Sequence, residues 1–327
     1  MNRIVLSSTL ALATVTPFAV GGQGLPDNPN RFSFGPTFGI NFKTDFYNNV
    51  NPGGLGGGAN RTYNDGYVLV DSSGPLSGST WNWGNQNVSQ VTGVGVNFHA
   101  IQDSSSATGN PQYGGEFIYQ RVIGNLPFLS GDWGLEAGFG FTDLDLRENL
   151  GGTAPAIMDS FLFVGGPPLI NPYHGTFNGP GTLIGDAPAP RINTTATLTG
   201  YQKLSGQLFS FRLGPFAEWK FTDKFSLAAS VGLTLAPATV DYDFSETAIV
   251  AADGAVIAAS GHSSETKLLY GPYVGTMLRY DFNKCWGVYV GARFQNLTDM
   301  NQSIGSRTAK LDPSATLYAT AGVSWKF

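Results

Sequence analysis

Residues 316–327 read Thr-Leu-Tyr-Ala-Thr-Ala-Gly-Val-Ser-Trp-Lys-Phe, and a period of two sorts them into unlike faces. Leu317, Ala319, Ala321, Val323, Trp325 and Phe327 share one face. Thr316, Tyr318, Thr320, Gly322, Ser324 and Lys326 share the other. Successive side chains of a strand point to opposite sides, so this pattern predicts a β-strand with one oily and one polar face.

The same alternation recurs upstream. Trp286, Val288, Val290, Ala292 and Phe294 oppose Gly287, Tyr289, Gly291, Arg293 and Gln295. Val274, Leu278, Tyr280 and Phe282 oppose Gly275, Met277, Arg279 and Asp281. Further back, 225–235, 209–221, 133–141, 117–120, 94–98 and 32–46 follow the rule, with Phe216 as an interruption on the polar side. The fold class expected is all-β.

A soluble sandwich also alternates. Three features favour a transmembrane barrel: a polar face mixing Gly and Ser with ionic residues, aromatic rings at strand ends, and connections alternating short and long. Phe221 and Phe225 flank Thr222-Asp223-Lys224, and Phe282 and Trp286 flank Asn283-Lys284-Cys285, two matching three-residue turns. With Trp133, these rings are expected to form an aromatic girdle on the periplasmic side, joined by Trp325 and Phe327. At the other end, Asp143, Asp145, Asp241 and Asp243 continue the outward parity, and carboxylates should mark the edge of the hydrocarbon. That leaves 133–141 and 225–235, close to the ~9–11 residues a tilted strand needs to cross.

Composition excludes other classes. A net charge of −5 argues against nucleic-acid binding. The single Cys285 permits no intrachain disulfide and no thiolate metal cluster, and no cofactor is expected. Residues 1–21 read as a signal peptide, with Arg3, an apolar run from Ile4 to Ala13, and small residues at Ala19-Val20-Gly21. Residues 22–327 then form one barrel domain. The histidines His99, His174 and His262 show no spacing that pairs one with Ser or Asp for hydrolysis, so no enzyme is expected.

The last eight residues resemble the C-terminal assembly signal of Gram-negative outer-membrane β-barrel proteins, with Thr320, Gly322, Trp325 and Phe327 at its specified positions. The wider chain resembles small OmpA/OmpX-like barrels in pattern. The resemblance implies export to the outer membrane, insertion by the barrel-assembly machinery, and lipid as partner. No peptidoglycan-binding domain follows the last strand, so that function is not expected to carry over.

An up-and-down antiparallel count gives nine strands plus a weak one at 62–70, hence about ten, with eight to twelve allowed. Long extracellular loops are expected at 47–63, 102–112, 150–204, 245–267 and 297–314, and 71–90 falls on the periplasmic side. Residues 251–256 read as a tight hairpin above the membrane. Gly35-Pro36, Gly214-Pro215 and Gly271-Pro272 should mark bulges or strand ends. Inward parity places Lys43, Glu116, Glu136, Arg212, Glu218, Lys220, Arg279, Asp281 and Arg293 in a lumen charge network. Charges in so narrow a barrel must pair. The function expected is a non-enzymatic envelope protein with a packed polar lumen and loops that could meet an extracellular ligand; the alternative is a small porin for ions or small solutes.

Overall fold

The computed structural model describes residues 28–71, 78–109, 111–126 and 131–327, and the expected signal peptide lies outside them. The strands of the first half are β1 (Asn30–Ile40), β2 (Lys43–Asn48), β3 (Arg61–Tyr63), β4 (Gly66–Val68), β5 (Ser79–Thr80), β6 (Trp83–Asn85), β7 (Gly95–Ile101), β8 (Ser104–Thr108) and β9 (Gln112–Leu126). Those of the second half are β10 (Gly131–Val164), β11 (Leu183–Gly185), β12 (Arg191–Lys220), β13 (Phe225–Val250), β14 (Val256–Asp281), β15 (Trp286–Gln295), β16 (Met300–Ile304), β17 (Arg307–Asp312) and β18 (Thr316–Lys326). Among the described residues no helix is long and apolar enough to cross a membrane.

Eight strands close into an antiparallel ring. Its order is β1, β9, β10, β12, β13, β14, β15, β18, and β18 pairs back onto β1. Closure leaves the ring without an edge, so each backbone group in the wall can bond within the sheet. That is the condition for a sheet to lie in hydrocarbon. Phe34, Phe117, Phe139, Leu213, Leu233, Val274, Val290 and Leu317 all stand exposed on the outside, one from every wall strand. So large an apolar band on the outside of a closed ring is a lipid-facing surface.

The count of ten expected from the sequence is corrected to eight. Residues 62–70 form the β3–β4 hairpin, which pairs with β6 and stays outside the ring. The strand at 94–98 is β7, which pairs with β10 only beyond the membrane band, at Ala156 to Leu162. Residues 78–90 therefore remain at the long-strand end and do not cross to the short-turn side.

Two of the expected long loops are also corrected: they are continuations of wall strands. The 34-residue β10 is about 110 Å long at ~3.3 Å per residue, against a hydrocarbon core of about 30 Å. It pairs with β12 without a register break from Gly131 to Asp159. β13 and β14 pair up to Ile249 and Val256, where residues 251–255 turn the chain, as the sequence suggested. Above the membrane these four strands form a tall sheet. A second sheet, in the order β16, β17, β2, β8, lies across their inner face. Phe42, Phe46, Leu144, Leu204, Leu208, Leu269, Leu297 and Leu311 fill the space between them. Higher still, Tyr63, Trp83, Phe98, Phe161 and Ile184 form the core of a terminal cap.

The first strand also needs correction. Phe42 and Phe46 were expected to face lipid, and both are 1% exposed. Asn41 sits at φ 67, a left-handed conformation that Asn tolerates, and it breaks β1 from β2. Beyond it the chain turns inward as part of the plug.

The Gly-Pro pairs mark interruptions of the ladder. Pairing of β1 with β18 lapses between Phe34 and Thr37, and that of β12 with β13 between Leu213 and Phe216, with the register kept. Gly271-Pro272 lies where β15 leaves β14. Proline has no N–H to donate, which accounts for each gap.

Candidate functional site: the barrel lumen

Inward parity brings seven of the expected charges into the lumen. Glu116 lies between Arg212, at 2.9 Å, and Arg293. The guanidiniums of Arg212 and Arg293 lie over the rings of Tyr273 and Tyr318, 5.7 Å and 4.4 Å from the centroids. Glu136 accepts hydrogen bonds from Gln120 Nε2 at 2.7 Å and from the Tyr273 hydroxyl at 3.2 Å. Glu218 is shared by Arg31 at 2.9 Å and Arg279 at 3.2 Å, and Arg279 also donates to Gln120. Asp281 pairs with Arg31 at 3.7 Å and with Lys326.

These groups form one chain of contacts across the ring. An isolated ion in so dry a space would be costly, and shared hydrogen-bonded partners offset that cost. What remains between Glu116, Glu136, Arg212 and Arg293 is a cavity of about 20 Å³, room for roughly one water. Ile118, Ala228, Met277 and Tyr289 pack beside it. The lumen is filled at this level, and Phe42, Tyr318 and Leu311 close it again above.

Two expected members lie elsewhere. Lys220 is half exposed at the short-turn mouth, paired with Asp132 at 2.7 Å. There it lines a vestibule of about 440 Å³ together with Arg31, Glu218, Lys284 and Lys326. Lys43 is outside the lumen: it sits in β2 with Asp45 at 2.9 Å, because the break at Asn41 shifts the parity on which its placement was read. Sequence reading missed Arg31, Gln120 and Tyr273 as network members. Arg31 shares the inward parity of Ser33, and that was the available signal. Phe216, the interruption on the polar side, also points inward and lines the vestibule.

The girdle residues Trp133, Phe221, Phe225, Phe282 and Trp286 are all exposed at the short-turn end. The two matching turns close alike: Phe221 N–H donates to the Phe225 carbonyl at 3.0 Å, and Phe282 N–H to that of Trp286 at 3.1 Å. Thr222 Oγ1 and Asn283 Oδ1 accept the backbone N–H groups of Phe225 and Trp286, at 3.0 and 2.8 Å. Along the seam between first and last strands, Trp325 stacks with Phe327 at 4.7 Å and Trp286 at 6.3 Å, and Phe327 stacks with Phe32 at 5.2 Å. Phe327 and Asn30 exchange backbone hydrogen bonds, at 3.0 and 3.3 Å. Gly322 and Thr320 lie in the same strand, on its lumen side.

Two of the three histidines, His99 and His262, have side-chain partners that spacing did not show. His99 was expected in the barrel and lies instead in the cap, fully buried. Its Nδ1 is 2.6 Å from Asp65 and its Nε2 3.1 Å from Asp253. Burial opposes a charge on this ring, but the two carboxylates outweigh it and raise the pKa above the ordinary imidazole value. His262 Nδ1 is 2.6 Å from Asp243 on the exposed face of the β13–β14 ladder. Among the described residues no group of His, Cys, Asp or Glu could hold a metal ion.

Ring closure, outward apolar band and ion-paired lumen together define an antiparallel transmembrane β-barrel. No family model matches the chain, and no curated protein matches it. Among solved structures it is similar to the outer membrane protease OmpT from Escherichia coli, at 12% identity and TM-score 0.34, covering 92% of this chain and 97% of that one. It is similar to Ail, the attachment invasion locus protein of Yersinia pestis, at 9% identity and TM-score 0.26, covering 91% and 99%. It is also similar to the outer membrane protein OprG from Pseudomonas aeruginosa, at 10% identity and TM-score 0.29, covering 92% and 97%. Likenesses this distant carry no function across, and the barrel rests on its own strand pairing.

Proposed function

We propose that this chain is a non-enzymatic protein of a Gram-negative-type outer membrane, a closed barrel that carries a tall sheet and cap out of the cell. The observation that carries this reading is the filled lumen, where ion pairs leave about 20 Å³ and an apolar plug lies above them. A conduit needs a continuous water-filled path. Here the fold spends its long strands on an external platform. With the short turns, the start of β1 and the end of β18 on the periplasmic side, the projection faces outward, where the cap can meet an extracellular ligand. The match of Thr320, Gly322, Trp325 and Phe327 to the assembly signal supports insertion by the barrel-assembly machinery.

The vestibule at the short-turn mouth favours a second reading, a narrow porin, but it ends against Gln120 and Glu218. Single-channel recording on purified protein in planar bilayers separates the two. No steady conductance is expected, and regular ion steps would replace the closed-barrel reading with the porin. The His262–Asp243 pair is exposed on a strand face. Peptide or lipid hydrolysis lost on His262→Ala would end the non-enzymatic reading.

A further inference from the structure

Two segments of the cap, 78–101 and 160–185, contain no Lys, Arg, Asp or Glu in a chain that is 13% charged. They are far apart in sequence and fold as one unit: Trp83, Val96 and Phe98 from the first pack with Phe161 and Ile184 from the second. Among the described residues the unit lies beyond the level at which the β13–β14 ladder ends. The β13–β14 turn follows Val250, which is level with Ala196 and Ala154, whereas β10 runs ten residues further, to Val164.

The loop that leaves Val164 and returns at Leu183 holds Leu169, 103% exposed, and Ile170, 76% exposed. Val88, Val94 and Leu162 stand exposed beside it, with Asn171 Nδ2 bonded to the Val88 carbonyl and Phe163 N–H to that of Val94. Asp71 and Asp186, which border these segments, are engaged with backbone: Asp71 accepts from Asn178 N–H and Asp186 from Gly58 N–H.

We infer that this tip docks onto a second lipid bilayer, inserting Leu169 and Ile170 among the lipids of a surface other than the one that holds the barrel. With no Lys, Arg, Asp or Glu in either segment, the tip gains little from an ionic surface, while its exposed apolar side chains gain on leaving water for lipid. Leu169 and Ile170 stand out from the surface of the loop, the first of them wholly exposed. A fluid lipid surface accepts such shapes, whereas a protein partner needs a matching pocket. Pro167, Pro168 and Pro172 flank the pair and have no N–H to leave unbonded in lipid. The inference rests on the outward orientation proposed above and deepens the surface-contact role.

The test uses the full chain in lipid nanodiscs, mixed with phosphatidylcholine vesicles and floated on a density gradient. Wild type is expected to float with the vesicles, in low and high salt alike, because no ion pair is involved. Leu169→Asp/Ile170→Asp should lower the floated fraction by about tenfold or more, since two carboxylates resist entry into lipid. A barrel that still shifts its gel migration on heating shows that the variant is folded. A fluorophore on Ile170→Cys, in a Cys285→Ser background, should shift to the blue on adding vesicles. Wild type that stays down, a variant that floats as well, or binding abolished by salt would each overturn the inference. Failure to float leaves the closed lumen standing, because conductance alone decides that question.

Discussion

At the scale of single residues, the clearest commitments are Glu116 and His99. Glu116 lies 6% exposed between two arginines, so removing its carboxylate strands two buried cations. Glu116→Ala should cost about 3–5 kcal/mol in urea unfolding from lipid vesicles, while Glu116→Gln, which still accepts hydrogen bonds, should cost less. A loss within experimental error for the alanine variant would show that the network contributes nothing to holding the wall. His99 makes a pH-dependent clasp between the cap and the β13–β14 turn. With both ring nitrogens against carboxylates, only the imidazolium donates to Asp65 and Asp253 together. Its folded pKa lies above that of a free imidazole. The clasp's contribution is therefore complete below about pH 6.5 and fades as pH rises through the folded value. Protection of the amides of residues 251–255, taken relative to their intrinsic base-catalysed exchange rates, should fall on passing from about pH 6 to about pH 8. In Asp253→Asn that protection should be low throughout and flat with pH. A wild-type profile as flat as the variant's would remove the clasp.

At the scale of elements, the eight wall strands were legible because lipid on one side and packed polar groups on the other force a strict period of two. The same period misled at β7: Val96 and Phe98 alternate as a wall strand would, but their oily side meets the cap core instead of lipid. Alternation reports that a strand has two unlike sides and is silent on what lies beyond them. The long extensions of β10 and β12 were hidden for the complementary reason, since Gly151, Gly152 and Pro155 read as loop residues. In the structure Pro155 pairs with Thr195 inside a continuous ladder. In the lumen, inward parity identified the arginines and carboxylates, while which of them touch depends on cross-ring register that no local pattern encodes. The seam between β1 and β18 gives the element-scale prediction. A Cβ on Gly322 would fall 2.1 Å from the Phe34 carbonyl oxygen, on backbone that cannot swing away. Gly322→Val should therefore prevent seam closure and abolish the heat-modifiable band in refolding, whereas Thr320→Val should leave most of it. A folded Gly322→Val barrel would show that the strands can part there without loss.

At the scale of the whole molecule, the lumen is closed twice, by unlike means at successive heights. Ion pairs around Glu116 and Glu136 fill the membrane level. Above them the sheet of β2, β8, β16 and β17 lays Phe42, Phe46 and Leu311 against the inner faces of the long strands. Two barriers in series conduct only when both are removed. The Glu116→Ala/Arg212→Ala/Arg293→Ala variant should therefore remain silent in planar bilayers, because the apolar plug still excludes water. A short Gly-Ser turn in place of residues 299–312 together with Phe42→Ala and Phe46→Ala, which removes β16, β17 and the rings that β2 packs with them, should be silent too, because the ionic level still blocks the path. Combined in one chain, the changes should give discrete ion steps. Removing charge of both signs should leave little preference between cations and anions. Conductance from either change alone would mean that only one barrier operates in the membrane, and silence from the combination would place a third constriction between the vestibule and the cap.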